Sequence, residues 1–386
     1  MRDSIWPLKN NHKQMKLKTQ EDIDLVKSLI SPPGDTLLET ITELGISQSD
    51  LANRMARPIK TINEIIQGKT AITPETAIQL ERVTGVPADF WLEREKNYRL
   101  ELAEILEAER VIQEKEWLAN FPIKEMIKLE WIQVSTKDPL EWVEAIFRFF
   151  RVGNKVGFYN CSCYTALDSP DYRLTNQDGK NPYALAAWLR KGEIQAETLE
   201  VADYDKKKFK DSLQDIKQVM VDHPEDFFAR LTRLAGEAGV KVVHTPSLPH
   251  AKVHGATRWI RDTPVIQLSN QFKRNDIFWF TFFHEAGHIL KHGKKDLFIE
   301  GIEPTELAKV KEQEADDFAI SLTFSVKEEA EFMALGKNGG WTTKDVSDFA
   351  KKVGTHPAMI VGRLERNKII TPGQGYIHGF YQKIEL

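Results

Sequence analysis

The sequence predicts a multidomain, mainly α-helical protein: an all-α unit near the N-terminus, a helical middle region, and a C-terminal α+β unit with a small sheet. Residues 33–95 hold short amphipathic helical patterns punctuated by Gly and Pro. Further on, VKVVHT (240–245), GATRWI (255–260) and TPVIQLS (263–269) look like strands joined by turn residues. Helical patterns over 275–292, 305–323 and 343–366 follow, the last broken around Gly354. Strands followed by helices indicate a compact α+β unit. A chain of 386 residues has room for two or three domains.

Composition narrows the class. A hydrophobic share of 41% and a charged share of 28% are those of an ordinary globular protein. No apolar run approaches the ~18–20 residues of a membrane helix, so no membrane partner is expected. The opening MRDSIWPLKNNHKQMKLK is basic but lacks the apolar block of a secretory signal. Residues 1–32 read as a flexible arm ending in SPPG. The only cysteines, Cys161 and Cys163, sit in YNCSCY, where an extended segment would turn them to opposite sides. They fit two bystander thiols in a reducing cytoplasm. A net charge of −4 gives no global signal for nucleic acid, so DNA binding must come from a local patch.

Such a patch lies within 33–98. Ser47 can cap a helix over 48–56, with Leu51, Ala52 and Met55 facing inward. Pro58 suits the first position of a second helix. Ile59, Ile62 and Ile66 would face the core there, leaving Lys60, Thr61, Asn63, Glu64 and Gln67 outward. Gly68 ends that helix and Thr73-Pro74 opens the next. Two short helices across a tight turn form a helix-turn-helix whose second member can enter a major groove. Residues 54–69 carry Arg54, Arg57, Lys60 and Lys69 against only Glu64. Gln48, Arg57, Lys60, Thr61, Asn63, Gln67 and Lys69 are therefore the candidate DNA contacts, with Lys60 and Asn63 placed to read base edges. A three-helix bundle used for protein contacts is the competing reading.

On PPGDTLLETI, SQSDLANRM, INEIIQGKTAITPETAIQLE and PADFWLEREKNY, residues 33–98 resemble the HigA-type antitoxin branch of the XRE helix-turn-helix family. The resemblance implies a homodimer on operator DNA and, in many relatives, neutralisation of a RelE- or HigB-like toxin. Arg57-Pro58-Ile59 departs from the small polar residue common before the recognition helix.

Residues 99–223 read as a helical connector. LEREKNYRLELAEILEAERVIQEKEWLANF (92–121) is charged throughout, and helical patterns near 139–151, 182–193 and 205–220 follow. The KKKFK run at 206–210 fits a solvated helix face.

The strongest chemical signal is FWFTFFHEAGHILKHG (278–293). His284 and His288 are four apart, one turn from each other on one helix face. Glu285 lies roughly 100° round that turn, beside a metal rather than on it. This is the H-E-x-x-H arrangement, in which two neutral imidazoles hold Zn2+ and the glutamate takes a proton from the attacking water. A third ligand is needed. Glu314, in TELAKVKEQEADDFAISL, is the candidate, with Asp317 and Phe318 on its face and Asp317 placed to accept an imidazole N–H. His292 reads as an exposed residue favoured by the helix dipole.

Residues 224–370 resemble the ImmA/IrrE family of zinc metallopeptidases, on FWFTFFHEAGHILKH, EQEADDFA and VGTHPAMIVGRLERNKII. SLTFSV stands where that family usually has a SLLIP-like segment. The resemblance implies a zincin-like domain with His284, His288 and Glu314 as zinc ligands, Glu285 as catalytic base, and limited proteolysis of a repressor or similar regulatory protein. His356, in VGTHPAM, is a candidate oxyanion donor, against the alternative that it caps a helix before Pro357. Residues 371–386 read as a tail. The expected whole is a cytoplasmic DNA-binding regulator with a zinc endopeptidase domain. The alternative is an antitoxin or autorepressor whose zinc domain is structural or sensory.

Overall fold

The computed structural model describes residue 17 and residues 19–135, 138–165, 181–251, 253–271, 273–294, 298–299, 306–336, 341–373 and 379–384. It divides into two compact units, one holding residues 1–118 and 135–144, the other 119–134 and 145–386.

The first unit contains α1 (Gln20–Leu29), α2 (Pro33–Glu43), α3 (Gln48–Arg54), α4 (Ile59–Ile66), α5 (Pro74–Thr84) and α6 (Ala88–Gln113). Its core is Leu37, Leu51, Ile62, Leu80 and Trp91. Ser47 caps α3 by accepting from the Asp50 N–H, as its sequence predicts. Gly34 is required where α2 crosses the end of α4, since a Cβ there would lie 2.2 Å from the Ile66 carbonyl oxygen. The buried Glu95 of α6 accepts from the Ile72 N–H at 3.1 Å and from Arg99, which also donates to the Gly68 carbonyl. That network pins the loop after α4.

Residues 19–32 are not the expected arm. Thr19 and Asp22 form a reciprocal cap on α1, Ile23 is fully buried, and α1 packs on α6. The apolar positions Ile23 and Val26 give α1 a face to bury. The lysines of the opening segment up to Lys16, and Lys18, lie outside the described residues, as does the Cys163 side chain.

Four short helices follow: α7 (Lys115–Leu118), α8 (Ile123–Lys128), α10 (Lys155–Tyr159) and α11 (Ser162–Thr165), with the longer α9 (Pro139–Phe150) among them. The second unit is then built by α12 (Pro182–Glu197), α13 (Lys206–Asp222), α14 (Phe227–Glu237), β1 (Lys241–His244), β2 (Gly255–Ile260), β3 (Thr263–Leu268), α15 (Asn275–Lys291), β4 (Phe298–Ile299), α16 (Glu306–Thr323), α17 (Val326–Leu335), α18 (Thr343–Val353) and α19 (Pro357–Arg366). The sheet order is β1-β3-β2-β4, with β1 parallel to β3 and the other pairs antiparallel. Alternate residues separate its faces: Val242, Ile266 and Leu268 join the core with α13–α15, while Val243 and Val265 pack with Ala196 of α12. Covering on both faces explains why these strands show no strict alternation of apolar and polar residues.

The connector reading of 99–223 therefore fails for α12 and α13. Gly192 of α12 lies against Gln267, Trp188 donates to the Thr245 carbonyl at 3.1 Å, and the buried Arg258 of β2 pairs with Glu193 at 2.8 Å. In α13, Phe209, Leu213, Ile216 and Met220 are buried, with the lysines of KKKFK outside. The last described residues are also built in. The Gln382 carbonyl accepts from the Asn275 N–H, the Asn275 side chain accepts from the Gln382 N–H, and Ile384 is buried. Among the described residues, no helix is long and apolar enough to cross a membrane.

Candidate metal centre

α15 buries nearly its whole circumference. Phe278, Trp279, Phe282, Phe283 and Ile289 belong to the sheet-side core, and the remaining side meets α16. The two helices approach closely at Gly287: a Cβ there would stand 3.2 Å from the Ala315 Cα. Ala315 and Ala319 are fully buried at that contact. Glu312 and Asp316 share their face of α16 at helical spacing, and so are level with the histidines.

His284 Nε2 lies 2.9 Å from His288 Nε2 and 3.1 Å from Glu312 Oε2, and His288 Nε2 is 3.6 Å from Glu312 Oε1. One ligand atom from each of these three residues falls within 4.8 Å of the others. Outer partners fix the rings. The Asp316 carboxylate accepts from His284 Nδ1 at 2.9 Å and is itself held by Arg366 at 3.0 Å. Glu314 accepts from His292 Nε2 at 2.9 Å, so a neutral His292 presents its Nδ1 as an acceptor to His288 Nδ1, also 2.9 Å away. Both ligand rings thus donate outward through Nδ1 and turn their Nε2 lone pairs toward each other and toward a carboxylate. Three acceptors converging in this way suit a cation.

The electrostatics agree. Burial pushes the His288 imidazole down to about 4, which keeps it neutral near pH 7. Burial alone would raise the Glu312 carboxyl, but where a ring N–H of His284 or His288 rather than a lone pair faces it, that contact outweighs burial and holds it at about 2. Asp316 is likewise held below its ordinary value, against burial, by His284 and Arg366. Glu285, next to His284 in the chain, is fully buried. Its carboxylate lies against the start of β2, where a Cβ on Gly255 would be 2.8 Å from Oε1, and its backbone carbonyl accepts from Thr257 at 3.1 Å.

Three expectations change, and at His356 the capping alternative holds. Glu314 is exposed and bonds to His292; Glu312 takes its place beside the histidines. Asp317 is exposed and accepts from Gln313, so Asp316 is the carboxylate at the ring nitrogen. The His292 side chain is 4% exposed, against Phe298 rather than in solvent. His356 caps α19 by accepting from the Ala358 N–H through Nδ1, and its ring lies 6.1 Å from that of His223. It is not in the ligand cluster, and burial pushes it down to about 4. The signal for the correct face was Ala315 and Ala319: two small residues mark the close side of α16, and of the carboxylates on that helix only Glu312 and Asp316 stand three residues from one of them. Phe324, from the divergent SLTFSV segment, is buried just past α16.

In the helix-turn-helix, Lys60, Gln67 and Lys69 are exposed, while Gln48, Arg57, Thr61 and Asn63 are half-buried. Arg57 donates to Gln79 at 2.6 Å, and Asn63 Oδ1 is enclosed, which leaves it poorly placed to reach a base. Ile59 is 48% exposed; Ile62 and Ile65 make the buried face instead. α4 begins after Pro58, with Ile59 as its first residue.

Residues 37–91 match the family described as Helix-turn-helix, and residues 235–337 match that described as IrrE N-terminal-like domain. The chain is 36% identical over 72 residues to the HTH-type transcriptional regulator YddM of Escherichia coli, covering 19% of this chain and 77% of that protein. It is 36% identical over 73 residues to virulence-associated protein I of Dichelobacter nodosus, covering 19% and 68%. Among solved structures it is similar to a HigA-family addiction module antidote protein from Coxiella burnetii and to Pseudomonas aeruginosa antitoxin HigA with higBA promoter. Each is 28% identical with a TM-score of 0.20, covering 22% of this chain and 92% of that chain.

Proposed function

Because the chain belongs to the XRE-type helix-turn-helix family and carries an IrrE-type peptidase domain, we propose that it is a DNA-binding regulator that cleaves a repressor- or antitoxin-type protein with a zinc-dependent endopeptidase site. The convergence of His284, His288 and Glu312, with the buried Glu285 next to His284 in the chain, carries this reading. Zinc, when bound, supplies the Lewis acidity that polarises a peptide carbonyl and acidifies water. His284, His288 and Glu312 would hold it, with Asp316 and His292 fixing the ring tautomers. Glu285 would take the proton of the attacking water and deliver it to the leaving amine. A site serving only to hold structure does not require that carboxylate.

Lys60, Gln67 and Lys69 would contact operator DNA, with the protein acting as a homodimer. Metal analysis, followed by incubation with candidate repressors with and without chelator, tests the reading. Glu285→Gln should keep bound metal and lose cleavage by at least about 10²-fold. Full metal with undiminished cleavage in that variant would sink the mechanism. Full metal with no cleavage of any candidate by the parent protein would favour the structural or sensory role.

A further inference from the structure

A cavity of about 410 Å³ opens between α15, α16 and α19. Ile277, Phe280, Ile320, Phe324 and Met359 give it an apolar floor. The charges at its rim are already matched. Arg274 bonds Asp276 and Glu365 and stacks on Tyr381 at 3.6 Å; Arg363 bonds Glu329 at 3.0 Å; Arg366 bonds Asp316. An ionic ligand would have to break one of these pairs, whereas a neutral apolar group need not.

The cavity shares a wall with the metal centre. The Phe280 ring is 6.3 Å from that of His284, and the Arg366 guanidinium lies 4.7 Å over Phe280 while holding the carboxylate that fixes His284. The volume falls within the range of sites that enclose a ligand group. We propose that this cavity receives a large apolar side chain of the peptide substrate next to the scissile bond, making the enzyme selective for Leu-, Met- or Phe-like residues there. The inference rests on the peptidase reading, and its location beside the ligand helix favours a substrate residue over a free effector.

Hydroxamates test it on the zinc-loaded full chain, because their metal-binding end is constant while the side chain varies. N-acetyl-phenylalanine hydroxamate should bind about 10- to 100-fold more tightly than acetohydroxamate, and the N-acetyl-glutamate analogue should gain nothing. Filling the cavity by Ile320→Trp or, separately, Met359→Trp should bring the phenylalanine ratio toward one. A parent ratio near one, or an equal gain for the glutamate analogue, overturns the assignment without needing any variant. A ratio that survives in both filled variants overturns it too. Absence of binding by every hydroxamate to a zinc-loaded chain would instead remove the peptidase reading on which it rests.

Discussion

His288 Nδ1 lies 2.9 Å from His292 Nδ1, and the other ring nitrogen of His292 lies 2.9 Å from the Glu314 carboxylate. The second ligand ring is thus oriented by an imidazole rather than directly by a carboxylate. His292→Ala should weaken zinc binding about 10- to 100-fold in a competitive chelator titration, without removing a ligand. Glu312→Ala should cost far more than Glu314→Ala. Equal losses for the two glutamate variants would show that the face of α16 is misassigned.

Gly255 leaves room for the Glu285 carboxylate. Gly255→Val should displace that carboxylate and lower cleavage by about 10²-fold or more while zinc content measured by metal analysis stays near the parent's. Undiminished turnover would mean that the strand start does not position the base.

His356 gives a pH prediction. Its folded value, about 4, lies below the ordinary 6.5 because of burial and then the nearby His223. Between those values the unfolded chain binds a proton that the folded chain does not, so stability falls as pH drops from 6.5 toward 4. The loss is at most roughly 3 kcal/mol. His356→Asn keeps a cap acceptor but cannot titrate, so its denaturation midpoint should fall less steeply across that window. Identical slopes would assign the acid sensitivity elsewhere.

For DNA, Lys60→Ala should weaken operator binding and, if Lys60 meets a phosphate there, reduce the salt slope by about one, since the Lys60 side chain is 85% exposed. Asn63→Ala should change thermal stability more than affinity, because its side-chain oxygen is enclosed. Fluorescence anisotropy at two salt concentrations, with a melting curve for each variant, checks both.

Local signals carried much of this architecture. The strand runs near 240–269, the helices α15, α16, α18 and α19, the Ser47 cap and the Gly354 break were legible because each depends on a short run of residues, whereas α17 was not predicted. What required tertiary information was rotational. Glu312 and Glu314 are two residues apart on a helix that is charged along most of its length, and only the packing of Ala315 on Gly287 says which one turns inward. The same holds at α4, where Ile59 is exposed and Ile65 is buried. The place of α12 was hidden for a different reason: its buried partners, Thr245, Arg258 and Gln267, are 57, 69 and 79 residues away.

The pairing of Asn275 with Gln382 has a consequence for biosynthesis. The helix that bears both imidazoles is translated first, and the segment that pins its first turn follows 107 residues later. A growing chain therefore carries the H-E-x-x-H run with an unsecured entry until the segment around Gln382 has left the ribosome. Premature termination before Phe380 should yield a polypeptide that retains every ligand and holds zinc poorly.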